Sequence, residues 1–269
     1  MKSKKKEQLT AQEMYLKKHK QHNLTISCSR FLVFAVFLII WELTSDTGLI
    51  DSFFFSSPSR VILCAYHMLV DGSLFVHIGV TLIETLVSFL LVFILGIATA
   101  MLLWYSDKLS EIMEPYLVIL NSLPKSALAP LLIVWLGTGT KTIIVAGISV
   151  AVFGSIISLY TGFHEVDKNK LTLIRTLGGR KKDCFMKVVL PSSIPTIIST
   201  IKVNIGLALV GVIIGEFLAA RRGLGYLIIY GSQVFQLNMV IMSIIILCII
   251  ALGLYQGIQV LERAVKKRI

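Results

Sequence analysis

Long apolar runs separated by short polar breaks dominate the chain, and their spacing sets its architecture. The hydrocarbon core of a bilayer is about 30 Å thick, so a spanning helix needs roughly 20 mostly apolar residues. Six segments meet that length, at about 31–50, 81–105, 115–136, 142–163, 194–218 and 240–261. The runs are continuous and lack the period-two alternation of a barrel strand. The pattern predicts an all-α polytopic membrane protein with six transmembrane helices.

The breaks carry their own signals. Ser57-Pro58-Ser59-Arg60 reads as a helix start, with Pro58 tolerated in the first turn. Val61, Ile62, Ala65, Tyr66 and Leu69 then share one apolar face, which predicts a short helix lying in the outer interface. The third segment is irregular, because Asn121, Ser122, Pro124 and Pro130 put small polar groups and helix breakers at membrane depth. Proline removes a donor and frees an upstream carbonyl, so this segment must be kinked or broken and satisfied by neighbouring protein or water. Asn121, Ser122 and Pro124 are therefore candidates for lining a path, the alternative being a plain packing kink. Gly137-Thr138-Gly139 predicts a tight turn into the fourth segment, and Ala219 to Tyr226 a glycine-rich turn between the last two.

Composition agrees. Of 269 residues, 55% are hydrophobic and 15% charged, where a soluble domain carries roughly a quarter charged. The net charge of +11 does not describe a nucleic-acid binder, since the basic residues sit in blocks at the membrane's edge. The bias of Lys and Arg in the short loops sets orientation. One side holds Lys2, Lys4, Lys5, Lys6, Lys17, Lys18, Lys20, Arg30, Lys108, the basic residues of loop 165–191, Arg263, Lys266, Lys267 and Arg268. The other keeps Arg60, Lys125, Lys141, Arg221 and Arg222. Both termini and loop 165–191 are expected in the cytoplasm of a plasma-membrane protein. The chain divides into a basic tail (1–29), a transmembrane domain (30–265) and a basic end (266–269). The basic start is too long for a signal peptide and no small-residue cleavage pattern follows Phe31–Trp41, which predicts an uncleaved anchor. Cys28, Cys64, Cys184 and Cys248 lack metal-ligand or CxxC spacing, so neither a metal site nor a disulfide is expected.

The loop between the fourth and fifth spans is the most informative stretch. From Glu165 to Leu190 it holds seven basic and three acidic residues, yet apolar residues recur at Leu171, Ile174, Leu177, Phe185, Val188 and Val189. That recurrence predicts two short helices, bent at Gly178-Gly179 and ended by Pro191. An apolar face framed by basic residues suits docking to a partner groove.

The spacing here resembles the motif of importer-type ATP-binding cassette permeases: Glu-Ala-Ala, three residues, Gly, nine residues, an aliphatic, one residue, Leu-Pro. The chain has Gly178, nine residues, then Val188, Val189, Leu190 and Pro191, with Arg175, Thr176 and Leu177 before the glycine. Thr172, Leu173 and Ile174 replace the Glu-Ala-Ala, so the signature acid is missing. Ser57 to Arg60, Leu123-Pro124, Ala129 to Gly137, Gly215 to Leu218 and Gly223 to Ile228 resemble permeases for nitrate, sulfonate, taurine and related small solutes. The resemblance covers about 30–265. It implies a permease in a primary-active importer of a small anionic or aromatic solute, with a cytoplasmic coupling helix between the fourth and fifth spans. By the same resemblance, two permease subunits, a homodimer for this chain, work with two cytoplasmic ATP-binding subunits and an external solute-binding protein. Coupling would fall to Thr172, Leu173, Ile174, Leu177, Gly178, Gly179, Val188, Leu190 and Pro191. With no P-loop in the chain, ATP and Mg belong to the partner and this chain binds no cofactor.

Buried polar groups supply the remaining candidates. Glu216 at the outer end of the fifth span either serves the path or pairs with Arg221 or Arg222. Lys202 either attracts an anionic solute, snorkels, or pairs with Glu84, Glu216 or a carbonyl. Asn204 faces either a path or a packed neighbour. Glu84 and His77 are secondary candidates, and Gly96, Gly147, Gly154 and Gly257 read as helix-packing positions. A secondary transporter would normally show internal repeats, and a membrane-embedded enzyme a convergent acid, base or metal cluster. The sequence offers neither.

Overall fold

The computed structural model describes residues 11–48 and 51–266. The expectations placed on Lys2, Lys4, Lys5 and Lys6, on the end of the first span at Ile50 and on Lys267 and Arg268 lie outside the described residues. Two compact units divide the chain, Met1–Ile62 and Leu63–Ile269.

In the first unit, α1 (Ala11–Asp46) is one helix of 36 residues, about 54 Å long at 1.5 Å per residue. The polar stretch and the anchor are thus continuous helix, with no break at 29/30. Its apolar residues, including Phe31, Phe34, Phe37 and Ile40, are exposed as for a lipid-facing helix. A short turn of helix, α2 (Ser52–Phe55), follows. Trp41 donates its indole N–H to the Phe55 carbonyl at 3.3 Å. The start of α3 (Pro58–Val70) is capped from outside, because the Glu42 carboxylate accepts the Ser59 N–H at 3.0 Å.

The second unit is built on three long helices, α4 (Ser73–Tyr105), α7 (Thr140–His164) and α11 (Ile194–Ala219). Helix α4 begins eight residues before the expected span. Between α4 and α7 lie α5 (Asp107–Ser122) and α6 (Lys125–Leu136). Among the described residues, five helices are long and apolar enough to cross a membrane, namely the Leu24–Asp46 part of α1, α4, α7, α11 and α13 (Leu237–Lys266). The α5/α6 pair, bent by 95°, makes the sixth if it is one span. The bend sits at Leu123-Pro124, where α5 ends and Pro124 becomes extended (φ −67°, ψ 100°). Lys125 satisfies the freed end of α5, donating to the carbonyls of Asn121 and Leu120.

Because lipid is as apolar as leucine, helices in a bilayer associate by close packing of small residues and by interhelical hydrogen bonds. That is how α4, α7 and α11 fit together. A Cβ on Gly96 would meet Ser155 Oγ at 2.6 Å, and one on Gly147 would meet Ser88 Oγ at 2.6 Å. On α11, a Cβ at Gly211 would lie 2.8 Å from Gly147 Cα and 2.9 Å from the Ala146 carbonyl oxygen. Asn204 of α11 donates to Ser155 Oγ of α7 at 2.8 Å, and Ser88 of α4 donates to the Ile144 carbonyl at 3.3 Å. Gly154 has ordinary contact with Asn121, and Gly257 has nothing within 4 Å. The reading of Gly257 as a packing position is therefore corrected: its face of α13 is open.

Since backbone atoms cannot rotate away as a side chain does, Gly211→Ala should lower unfolding stability by about 1–3 kcal/mol. Gly206→Ala on the same helix, with nothing within 4 Å, should be neutral or slightly stabilising; unfolding of both variants in mixed micelles checks the contrast.

Candidate functional site

Two places at opposite ends of the long helices combine exposed or buried functional groups with geometry that local sequence explains. The first is the loop after α7. Helix α8 (Lys168–Thr176) starts at Asp167, whose carboxylate accepts the Asn169 N–H at 2.8 Å. It ends in a Schellman motif: Gly179 N–H reaches the Ile174 carbonyl at 2.9 Å and Gly178 N–H the Arg175 carbonyl at 3.0 Å. This closure requires a left-handed residue, and Gly178 supplies it at φ 83°. The close approach belongs to its neighbour, since a Cβ on Gly179 would sit 2.8 Å from the Ile174 carbonyl oxygen.

The return helix begins as α9 (Lys181–Cys184). Asp183 accepts the Arg180 N–H at 3.0 Å and pairs with Lys187 at 3.2 Å. Both contacts hold its carboxyl below the usual carboxylate range. Winding then widens to a π-turn over Phe185–Val189 and resumes as α10 (Leu190–Ser192). The expectation that Pro191 ends this helix is corrected. Proline offers no N–H to the carbonyl four residues back; the wider turn sends the Leu190 N–H to the Phe185 carbonyl, and the helix passes through Pro191 to break at Ser193.

The loop's residues fall into two sets. Phe185 is buried among Trp104, Tyr105 and Phe163, with ring centroids 5.1, 5.6 and 5.4 Å away. Val188 and Val189 are buried in the same cluster, with Ile174 and Leu190 packed against it. Lys181 adds a hydrogen bond to the Tyr105 carbonyl at 3.0 Å, its ammonium 5.6 Å from the Trp104 ring centre. The return helix is thus keyed into the ends of α4 and α7. On α8 and its C-terminal cap, by contrast, Leu173 and Leu177 are 59% and 76% exposed and Thr172 and Gly178 are exposed too, as is Pro191 on α10. Of the coupling candidates, Leu173, Leu177, Thr172, Gly178 and Pro191 face outward. Val188, Leu190, Ile174 and Gly179 support them.

The second place is the other end, around α12 (Leu224–Gln233), a helix that the glycine-rich turn did not announce. Its first N–H groups would be orphans in a dry setting. Side chains from two other helices take them in succession. His77 Nδ1 accepts from Gly223 N–H at 3.0 Å, Thr81 Oγ1 from Leu224 at 2.8 Å, and Glu216 Oε2 from Gly225 at 2.6 Å. The Thr81 hydroxyl donates in turn to Glu216 Oε1 at 2.7 Å, and the His77 ring stacks on Tyr226. A Cβ at Gly225 would lie 2.9 Å from Glu216 Cβ, so glycine is needed there for contact. The expected pairing of Glu216 with Arg221 or Arg222 is corrected: its oxygens serve Thr81 and Gly225. Lys202 is likewise paired with Glu262 of α13, and is neither a free anion site nor a partner of Glu84 or Glu216.

The remaining path candidates separate. Asn121 and Ser122 are exposed at the α5/α6 bend beside Pro124, with Ser122 Oγ donating to the Val118 carbonyl at 2.8 Å. Asn204 is buried against Ser155, yet also borders a groove of about 260 Å³ lined by Gly154, Ser158, Thr196, Ser199 and Thr200. Thr81 was missed altogether. Its signal is the recurrence His77, Thr81, Glu84, which places all three on one face of α4, opposite a Gly-x-Gly run.

This assembly of broken and unbroken membrane helices matches known transport machinery. The family described as "Binding-protein-dependent transport system inner membrane component" matches residues 92–267. The chain belongs to that family, and is a multi-pass permease subunit of an ATP-binding cassette importer. A probable ABC transporter permease of Haemophilus influenzae is 31% identical over 228 residues, covering 84% of this chain and 92% of that protein. The putative aliphatic-sulfonate permease SsuC of Bacillus subtilis is 27% identical over 87% of this chain and 84% of its own length. In fold, the chain superposes on an inward-facing structure of the MetNI methionine ABC transporter with a TM-score of 0.62 and 21% identity, over 70% of this chain and 93% of that one.

Removing the Thr81 hydroxyl leaves the Leu224 N–H unsatisfied and frees one Glu216 oxygen, a loss of about 1–3 kcal/mol per buried group. Thr81→Val should therefore speed amide exchange over Leu224–Leu227 by tenfold or more on that scale, while exchange in α8 stays as in the parent chain.

Proposed function

We propose that this chain forms, as a homodimer in the plasma membrane, the path of an importer for a small anionic or aromatic solute. An external solute-binding protein delivers the solute, and two cytoplasmic ATP-binding subunits, which carry ATP and Mg, drive the cycle. Both termini and α8 face the cytoplasm on this reading, in line with the basic residues concentrated there.

One observation carries the proposal. Leu173 and Leu177 stand out from a basic helix, and that helix is joined to a return strand of helix wedged by Phe185 between α4 and α7. Exposed leucines at i and i+4 form an apolar plug, and the charges around it orient a partner. A partner that moves the plug also moves Phe185, and through it the ends of two long helices. Rigid-body rocking between inward and outward openings needs such a stiff link. The missing Glu of the family motif leaves this link intact, because Thr172 is exposed and its hydroxyl bonds within α8, to the Lys168 carbonyl at 2.9 Å. The loop's uncompensated positive charge favours an acidic rim on the ATP-binding partner.

Leu177→Asp places a charge in the middle of the plug. It should cut the yield of ATP-binding subunit co-purified with the chain at least tenfold, as loss of a central apolar anchor does, with the permease itself still folded. Undiminished recovery together with normal transport would refute the docking role of α8.

A further inference from the structure

A cavity of about 530 Å³ opens beside α12, lined by Glu84, the Thr138–Thr140 turn, Ile143 and Ala219 to Arg222. Its size suits a small solute, and its charges are arranged in an unusual way. Glu84 is only 2% exposed, and neither of its carboxylate oxygens has a hydrogen-bond partner. The polar groups facing it are Thr140 and the Glu216 carboxyl. The oxygens of Glu216 already accept from Thr81 and Gly225, so two buried carboxyls lie side by side with no cation between them among the described residues. Arg221 and Arg222 border the same space from exposed positions. Among the described residues, neither arginine forms an ion pair with Glu84 or with any other acid.

The cavity therefore presents a buried pair of acidic groups and two exposed arginines that are not paired with them. A buried carboxylate without a partner is costly, and a ligand group that completes it recovers that cost on binding. Guanidinium groups at a rim suit a carboxylate, sulfonate or phosphate. We propose that this cavity is a solute subsite for a small zwitterion, with the protonated amine at Glu84 and the anionic group at Arg221 and Arg222. The hydroxyls of Thr138 and Thr140 supply neutral hydrogen bonds between the two ends. The inference rests on the importer reading for how a solute arrives, and it narrows the solute to one bearing both charges. It also makes the turn that carries the arginines responsive to occupancy, because Gly223 to Gly225 follow directly and are pinned by His77, Thr81 and Glu216.

The test uses the full chain in lipid nanodiscs and three probes of equal carbon length: 3-aminopropanesulfonate, propanesulfonate and propylamine. Calorimetric titration should show the first binding about tenfold tighter or more than either single-charge probe, a span in keeping with buried charge pairs. Glu84→Gln should remove its advantage over propanesulfonate, and a double Arg221→Ala, Arg222→Ala variant its advantage over propylamine. Equal binding of the three probes, or a preference unchanged in Glu84→Gln, would overturn the proposal. Glu84→Gln is nearly isosteric and breaks no hydrogen bond of the Glu84 oxygens, so its unfolding temperature should not fall. A marked fall would reveal a structural partner for the carboxylate and also overturn the proposal. A change in self-association with no change in probe binding would do so as well, assigning Glu84 to a contact between copies. The measurement needs no ATP-binding subunit, so its failure leaves the importer reading standing, and failure of the α8 docking test leaves the subsite standing.

Discussion

A backbone N–H or C=O inside hydrocarbon has no water to turn to, and each one left unpaired costs several kcal/mol. This constraint governs every place where the chain departs from straight helix. At the α5/α6 bend, Lys125 reaches back to the last carbonyls of α5. Before Pro191, one wide turn absorbs the missing donor without interrupting the helix. At the start of α12, three side chains accept three successive N–H groups. At these three places the irregular backbone is satisfied either by a neighbouring side chain or by a wider turn of the same helix.

The long helices between these places are held by contacts with no slack. Gly96, Gly147 and Gly211 bring backbones and seryl hydroxyls together without a spare methyl's width, and Asn204 ties α11 to α7. Packed interfaces of this kind shift as bodies and do not bend smoothly. On the proposed coupling role, a displacement delivered through Phe185 to the ends of α4 and α7 would pass along α4 toward His77 and Thr81, and so to the cap of α12. The loop after α7 and the turn before α12 would then be two ends of one lever, with α4 as its arm.

Much of this was legible in the residues. Continuous apolar runs announced the spans, Gly178 followed by Leu190-Pro191 announced the bend and the return, and Gly137 and Gly139 announced a turn in which both take positive φ. The misses share a cause. Hydropathy reads each helix alone, whereas Glu216, Lys202 and Thr81 acquire their meaning from residues far away in sequence. Local proximity pointed Glu216 to Arg221 and Arg222; the fold gave it Thr81, 135 residues earlier. Lys202 found Glu262 on the last helix. Helix α12 was hidden because its ten residues are too few to register as a span, and the groups that stabilise its start lie on α4 and α11. Pro191 was misjudged because a helix that can widen by one residue does not have to stop at proline.

Whether α8 is the face gripped by an ATP-hydrolysing partner is best decided by capture in place. A photo-crosslinking residue at position 177, introduced in cells carrying the whole transport system, should yield a covalent adduct with the ATP-binding subunit, and the same probe at position 222 should yield none. An adduct from position 222 and none from position 177 would contradict the account, because it would put α12, and not α8, at the drive end of the molecule.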